Sequence, residues 1–162
     1  EARTGAVKAY VGGIEYDHFK YDMVMGGRRQ VGSTIKPFLY ALAMQNGMTP
    51  CTTAPNVQRS YGNWTPRNAS KARYGQQVPL RWGLQQSNNW ISAYLISLLG
   101  PSQFVNILHD FGLNNPDIEK NTSPVLCLGP SEVSVGEMCS AYTTFVNHGV
   151  RCAPIFVTRI TW

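Results

Sequence analysis

Ser33 and Lys36 are two residues whose types and spacing could support nucleophilic catalysis. They close the tetrad Ser33-Thr34-Ile35-Lys36, and residues three apart on a helix lie on one face, about a turn from each other. A serine hydroxyl is a poor nucleophile unless a neighbouring base accepts its proton. A lysine can be that base if burial lowers its pKa from about 10.4. Both residue types are common, so the tetrad alone also occurs by chance.

The position of the tetrad favours the catalytic interpretation. The apolar spacing from Phe38 to Ala43 predicts a helix that begins near Ser33 and ends at Gly47. Pro37 fits only within the first turn of that helix, because proline has no N–H to donate to the carbonyl four residues earlier. Ser33 is therefore expected at a helix N-terminus, where free N–H groups and the helix dipole stabilise an alkoxide or oxyanion.

Ser87, Asn88 and Asn89 form a second polar cluster between two predicted helices. Such a triplet can simply cap the helix that follows it, and taken alone it favours that structural role. Together with the tetrad it has a functional interpretation as well. A second hydroxyl can pass protons between lysine and leaving group, while an asparagine amide can hold a substrate amide.

Hydrophobic periodicity predicts the elements that must position these residues. One half-buried strand is expected at Gly5–Val11, and a second is possible at Ile155–Ile160. Residues 50–78 show no steady period and predict a long irregular excursion. Further helices are predicted at Leu80–Gln86, Trp90–Leu99, Phe104–Phe111 and Ser134–Val146, the last with a Ser134/Glu137 capping box.

The composition of the chain points to one sizeable core. It has 162 residues, of which 43% are hydrophobic, so a single domain at 1–162 is expected. The net charge of +5 comes from scattered Lys and Arg, which does not indicate a nucleic-acid patch. The four cysteines and three histidines show no metal-binding spacing, so no cofactor or metal is expected. The cysteines are compatible with buried thiols or with one or two disulfides.

The order of several motifs resembles the transpeptidase domain of class A bifunctional penicillin-binding proteins, and the resemblance covers essentially the whole chain. Serine β-lactamases and penicillin-binding proteins share S-x-x-K, S-x-N and K-[ST]-G signatures. The matching segments, in chain order, are GAVKAYVGG at 5–13, RQVG leading into STIKPFLY at 33–40, PRN at 66–68, VPLR at 78–81, Ser87, PVLCLGPSE at 124–132, and Glu137, Met138, Ala141, Tyr142, Phe145 and Gly149.

This resemblance implies an α+β fold of the serine β-lactamase/penicillin-binding transpeptidase type, reduced to mostly the helical lobe and one or two strands of an antiparallel sheet. It implies Ser33 as the acylated nucleophile, Lys36 as the base, Ser87 as the proton relay and Asn89 as the substrate-binding amide. The implied reaction is attack on a D-Ala-D-Ala stem peptide, loss of the terminal D-Ala and transfer to an amine of a neighbouring stem. The implied partners are peptidoglycan stem peptides, β-lactams and other cell-wall synthesis proteins, on the extracytoplasmic face of the bacterial membrane.

The chain departs from the family pattern at two points. Asn88 replaces the acid of S-D-N, which fits a synthase better than a class A β-lactamase. No K-[ST]-G follows Ser87, and Arg3-Thr4-Gly5 imitates that motif only in composition. The chain is therefore expected to be truncated at both ends, without the upstream membrane anchor and glycosyltransferase domain of class A members, and to be inactive alone.

Two other functions remain as alternatives to the transpeptidase. A non-catalytic relative that senses β-lactams or wall peptides would keep the tetrad, and only turnover of a peptide donor separates it from the enzyme. A basic nucleic-acid module would use a stacking surface formed by Tyr61, Trp64, Arg67, Arg73 and Tyr74. The ordered family match argues against the second. An incomplete sheet also predicts that Gly5–Val11 pairs with Ile155–Ile160, with the same strand of a second copy, or with both, and that the isolated chain self-associates.

Overall fold

Short helices dominate the structure, which is a computed structural model and describes residues 1–162. Each of its four strands has three residues. The α-helices are α1 (Lys36–Gln45), α2 (Leu80–Gln85), α3 (Asn89–Leu99), α4 (Pro101–Asp110), α5 (Pro116–Glu119) and α6 (Val135–Val146). The strands are β1 (Arg28–Gln30), β2 (Thr53–Pro55), β3 (Gln77–Pro79) and β4 (Glu132–Ser134). Two 3-10 helices span Gly32–Ile35 and Pro124–Leu128.

The chain divides into two compact units. The larger unit contains Gln30–Ile107 and Pro116–Ser131, and the smaller contains Glu1–Arg29, Leu108–Asn115 and Glu132–Trp162. All four predicted site residues belong to the larger unit. The predicted helices at Leu80–Gln86, Trp90–Leu99, Phe104–Phe111 and Ser134–Val146 are confirmed, with shifts of a few residues at their ends.

Helices α1 and α3 form the core of the larger unit. Each is apolar along the face that meets the other, because its aliphatic and aromatic residues recur at helical spacing. The fully buried apolar side chains of these two helices are Phe38, Leu39, Ala43, Ile91, Ala93, Leu95 and Ile96. Burying one such large side chain contributes roughly 1.5–3 kcal/mol. The packing of α1 on α3 therefore fixes the position of Lys36, the first residue of α1.

The segment between α1 and α2 is more regular than its composition predicted. Strands β2 and β3 pair antiparallel, with Ala54 opposite Val78, and both side chains are fully buried. The prediction of an entirely irregular excursion over residues 50–78 was therefore wrong at its two ends. Three residues are too few to show a hydrophobic period, and the pairing joins segments far apart in sequence.

The loop between β2 and β3 is tied to α3. The indole Nε1 of Trp90 donates a hydrogen bond to the carbonyl of Pro66 at 3.1 Å. The ring of Tyr74 packs edge-on against the Trp90 ring, with centroids 5.3 Å apart. These contacts place the loop beside the N-terminus of α3.

Helix α6 organises the smaller unit and begins at a complete capping box. The Ser134 hydroxyl accepts a hydrogen bond from the Glu137 N–H, and the Glu137 carboxylate accepts one from the Ser134 N–H. The same carboxylate pairs with the Arg28 guanidinium at 3.1 Å. Strand β1, which begins at Arg28, pairs with β4. The cap predicted from the sequence is confirmed.

The strand predicted at Gly5–Val11 is wrong. This segment makes one isolated parallel bridge, between Ala6 and Ile155, and is otherwise without regular structure. The Val7 N–H donates to the Ile155 carbonyl at 3.0 Å, and the Ile155 N–H donates to the Gly5 carbonyl at 2.9 Å. Alternation of apolar residues does not make a strand without a partner for each backbone group, and here the pairing ends after one residue. The second strand predicted at Ile155–Ile160 is absent for the same reason.

All four cysteines are free thiols. Cys127 is buried, Cys51 and Cys139 are exposed, and Cys152 is partly buried.

No single helix has the length and apolar character to cross a membrane, although α3 and α4 would together meet that test and are bent by 97° at their junction.

Candidate active site

Ser33 lies in the 3-10 helix Gly32–Ile35, which continues directly into α1. Gly32 has a φ of +53°, a left-handed conformation that favours glycine. The Gly32 N–H donates to the Gly129 carbonyl at 3.0 Å, and a Cβ on Gly129 would lie 2.2 Å from the Gly32 oxygen. This close approach of two glycines sets the sharp entry into the turn, and it presents Ser33 at the surface.

Helix α1 begins close to Pro37, as the position of this proline in the sequence predicted. Pro37 is the second residue of the helix, and the Lys36 N–H bonds to the Ser33 carbonyl. Ser33 thus precedes the α-helix by one 3-10 turn, which confirms that it lies at the start of the helical segment. Its hydroxyl makes no hydrogen bond in the structure and is open to a ligand.

The Lys36 side chain is 1% exposed and its amine is surrounded by oxygen acceptors. Nζ donates to the Ser87 carbonyl at 2.6 Å, to Ser87 Oγ at 2.9 Å and to Asn89 Oδ1 at 2.6 Å. Three acceptors match the three hydrogens of an ammonium group. The structure therefore brings Lys36, Ser87 and Asn89 into direct contact.

Burial lowers the pKa of Lys36 to about 8, and only a charged Cys127 thiolate would oppose this shift. The cause is desolvation, because an ammonium loses more by leaving water than a neutral amine does. Burial also raises the pKa of Cys127 to about 12, so this neighbour is a neutral thiol near pH 7. A lysine with a pKa near 8 can be partly neutral under physiological conditions, as a general base must be.

The connection between α2 and α3 holds the triplet Ser87-Asn88-Asn89. The side chain of Asn88 accepts hydrogen bonds from the N–H groups of Trp90 and Ile91, so Asn88 is the N-cap of α3. Helix capping and contact with Lys36 are divided within the triplet. Asn88 caps the helix, while its two neighbours direct their side chains to Lys36.

Asn89 has further contacts that the sequence did not reveal. Its Nδ2 donates to the Arg67 carbonyl at 2.6 Å, and its backbone N–H donates to Asn68 Oδ1 at 2.6 Å. Arg67 and Asn68 belong to the segment 66–68, which is part of the family resemblance, and Arg67 was otherwise assigned only to the alternative stacking surface. No spacing rule links residues about twenty positions apart, so only the folded loop shows this relation.

Ser33, Ser87 and Asn89 line one pocket of about 270 Å³. The remaining lining residues are Asn68, Ala69, Ser70, Ala72, Trp82, Gln86 and Asn88. Lys36 contacts two of the three predicted residues in this pocket and makes no hydrogen bond to Ser33. The arrangement offers an open hydroxyl, a buried amine and amide groups around one cavity.

Comparison with known proteins identifies the family of the chain. The family model of the penicillin binding protein transpeptidase domain matches residues 1–162. The chain belongs to this penicillin-binding transpeptidase family. The α+β fold expected from the sequence is confirmed as the fold of these transpeptidase domains, with a small and incomplete sheet.

Several penicillin-binding proteins 1A are similar to the chain over nearly all of its length. The protein from Aquifex aeolicus is 32% identical over 166 residues, which cover 99% of this chain and 22% of the relative. The protein from Pseudomonas aeruginosa is 28% identical over 166 residues, which cover 99% of this chain and 20% of the relative. The chain spans about a fifth of the length of these curated relatives.

Solved structures of penicillin-binding transpeptidases resemble the fold. Penicillin-binding protein 1A from Haemophilus influenzae superposes with a TM-score of 0.79 at 33% identity, covering 89% of this chain and 22% of that one. The PonA1 protein from Mycobacterium tuberculosis in complex with penicillin V has a TM-score of 0.83 at 22% identity, covering 94% of this chain and 43% of that one. The second likeness concerns the fold alone.

Proposed function

We propose that the chain is part of a bacterial peptidoglycan synthase and carries the nucleophile half of a serine D,D-transpeptidase site. The observation that carries the proposal is the contact of buried Lys36 with Ser87 Oγ and Asn89 Oδ1, in the unit where Ser33 lines the same pocket as both. Membership of the penicillin-binding family supports the assignment. These residues offer a nucleophile, a second hydroxyl and an amide in one cavity, together with a buried base that contacts two of them.

In the proposed acylation, Ser33 Oγ attacks the carbonyl of the penultimate D-Ala of a stem peptide. The hydroxyl proton passes to neutral Lys36, and the Ser33 N–H stabilises the oxyanion as one of two donors. Ser87 Oγ, 2.9 Å from Lys36 Nζ, relays a proton to the nitrogen of the departing D-Ala. The peptide bond breaks, D-Ala leaves and an acyl-Ser33 ester remains. An amine of a second stem then attacks this ester and frees Ser33.

Asn89 is proposed to hydrogen-bond an amide of the stem peptide or of a β-lactam. Its Oδ1 is held by Lys36 and its Nδ2 by the Arg67 carbonyl, so its side chain has a fixed orientation. Each of these polar atoms has capacity for one further hydrogen bond. A held amide binds substrate with less loss of side-chain freedom than a mobile one.

The proposal extends to the complete protein. We propose that the site for the substrate carboxylate lies outside this segment, because no K-[ST]-G motif follows Ser87 within it. We expect the isolated 162 residues to react poorly with β-lactams. The proposed partners are peptidoglycan stem peptides, β-lactams and other cell-wall synthesis proteins. The proposed location is the extracytoplasmic face of the cytoplasmic membrane, with an anchor and a glycosyltransferase domain outside this segment.

The test is labelling of the complete protein with a fluorescent penicillin, followed by mapping of the labelled peptide. The label is expected on Ser33, and Ser33→Ala should abolish it because no other hydroxyl replaces the nucleophile. Ser70→Ala, which changes another serine of the pocket lining, is the matched control and should keep the label. Labelling of the Ser33→Ala protein at an unchanged rate would refute the assignment.

A second candidate is a non-catalytic receptor for β-lactams or wall peptides. The observation that favours it is the absence of a hydrogen bond between Lys36 and the exposed Ser33 hydroxyl. Such a receptor would be acylated by penicillin but would not turn over a peptide donor. Release of D-Ala from a D-Ala-D-Ala stem peptide by the complete protein would decide for the enzyme.

A further inference from the structure

Asn56 is a fully buried asparagine that the proposed chemistry does not use. Its Nδ2 donates two hydrogen bonds, to the carbonyls of Ala72 at 2.9 Å and Arg73 at 2.8 Å. Its Oδ1 accepts a hydrogen bond from Asn88 Nδ2 at 2.8 Å. Every polar group of the side chain is thus engaged, and the amide cannot rotate without placing its oxygen against two carbonyls.

The bond from Asn56 determines the orientation of the Asn88 amide. Asn88 Oδ1 must face the N–H groups of Trp90 and Ile91 to cap α3. With the amide reversed, its NH2 group would meet those donors and its oxygen would meet the Asn56 oxygen. The two buried amides therefore specify each other, and Asn88 is 4% exposed.

Asn88 lies between the two residues that bind Lys36. Ser87, on one side, has a φ of +49°, a left-handed conformation that a non-glycine residue keeps only when its surroundings hold it. Asn89, on the other side, is the first residue of α3, the helix that Asn88 caps. A displacement of Asn88 would move Ser87 Oγ and Asn89 Oδ1 away from Lys36 Nζ.

We propose that Asn56 is a positioning residue of the active site, acting through Asn88 to hold Ser87 and Asn89 against Lys36. The same side chain holds the carbonyl of Ala72, which lines the pocket. Asn56 thereby joins one wall of the pocket to the residues that surround the base. This inference rests on the proposed function, because it assigns the positioning to the site where acylation occurs.

Three variants of the complete protein test the pair. Asn56→Ala removes the acceptor for Asn88, and Asn88→Ser keeps a capping side chain but is too short to reach Asn56. The third variant combines both changes. The measured quantity is the rate constant for acylation by a fluorescent penicillin. Each single change is expected to lower it by between about tenfold and a hundredfold, as a small misplacement of catalytic groups does. The double variant should be no slower than the slower single variant, because the two residues act as one unit.

The pH profile separates positioning from general destabilisation. The oxygens of Ser87 and Asn89 favour the ammonium form of Lys36, so loosening them should move the midpoint of the acylation profile to lower pH. Cys127 is the other titratable group near Lys36, its raised pKa keeps it a neutral thiol near pH 7, and all three variants leave it in place. Asn46→Ser removes a side-chain amide that donates to the Leu42 carbonyl away from the pocket, and it should change neither rate nor midpoint.

Thermal unfolding identifies which variants are folded. Any variant that is not folded is replaced by Asn88→Asp, which keeps the helix cap but has no hydrogen-bond donor for Asn56. Folded variants with the rate of the unmodified protein would overturn the inference, and so would slower acylation with an unmoved midpoint. Continued labelling of the Ser33→Ala protein would instead overturn the proposed function. The two failures are therefore distinguishable.

Discussion

At the scale of single residues, Lys36 is subject to two opposing effects. Burial lowers the pKa of its amine to about 8, while three oxygen acceptors favour the charged form. An amine under both influences can accept a proton and return it near neutral pH. The buried position of Lys36 at the start of α1 thus lowers the pKa of its amine and brings that amine within hydrogen-bond distance of Ser87.

Lys36→Met should lower the acylation rate of the complete protein by about 10²- to 10⁴-fold, the usual contribution of a general base. Methionine fills most of the buried volume but accepts no proton from Ser33. The measurement is penicillin acylation under conditions where the unmodified protein reacts fully. Lys120→Met changes an exposed lysine far along the chain and should leave the rate unchanged. Acylation of the Lys36→Met protein at the original rate would show that another group acts as base.

The acylation rate should rise with pH and level off above a midpoint near 8. The reason is that only the neutral amine accepts the Ser33 proton, and the neutral fraction grows as pH rises through the pKa of about 8. Stopped-flow acylation between pH 6 and 10 measures this profile. A rate that stays constant across this range would contradict the role of Lys36.

The sequence alone pointed to the four residues of the candidate site but not to the residues that contact them. Ser33, Lys36, Ser87 and Asn89 follow from two short motifs, because each motif is local in the chain. Asn56 does not, since its bond to Asn88 joins positions 32 apart and no spacing rule relates them. The shared pocket of Ser33, Ser87 and Asn89 could likewise be seen only after folding.

At the scale of elements, the longer helices were predictable, whereas the short helix α5 and the strands were not. Helix α6 follows from a local cap and a regular apolar face. Strands β2 and β3 pair across 22 to 26 positions of the chain, and neither shows a period within three residues. The segment Gly5–Val11 has the alternation of a strand but pairs at one residue only.

Ser134→Ala should weaken the start of α6 by about 1 kcal/mol, the usual cost of losing an N-cap side chain. The Glu137 N–H would lose its acceptor. Amide hydrogen exchange should therefore become about fivefold faster in the first turn of α6. Ser140→Ala, a change within the same helix away from the cap, is the control and should not accelerate exchange. Equal acceleration by both changes would mean that the cap adds nothing specific.

At the scale of the whole molecule, the 162-residue chain exposes apolar surface together with unpaired backbone groups. The N–H groups of residues 8–11 make no backbone hydrogen bond. Large apolar side chains of the smaller unit are also exposed, including Val11, Val150, Val157, Ile160 and Trp162. Open edges with apolar neighbours recruit further chains. Self-association of the isolated chain remains a prediction on these grounds.

The isolated chain should form dimers or larger assemblies at micromolar concentration. Sedimentation velocity measures the distribution, and Val11→Lys should shift it toward monomer because a charge on an open edge opposes pairing. Leu98→Lys places the same charge on an exposed apolar position of the larger unit and should have no such effect. A chain that is monomeric before any substitution would contradict the prediction.

The buried thiol of Cys127 can serve as a chemical probe of local opening in the protein. Cys127 is 0% exposed and lies near Lys36, whereas Cys51 and Cys139 are open to solvent. An alkylating reagent should modify the exposed thiols at once and reach Cys127 only when the structure around Lys36 opens. The slow phase of alkylation would then report how often the base leaves its buried environment. Occupancy of the pocket should lengthen that phase, because a ligand that binds only the closed form suppresses opening.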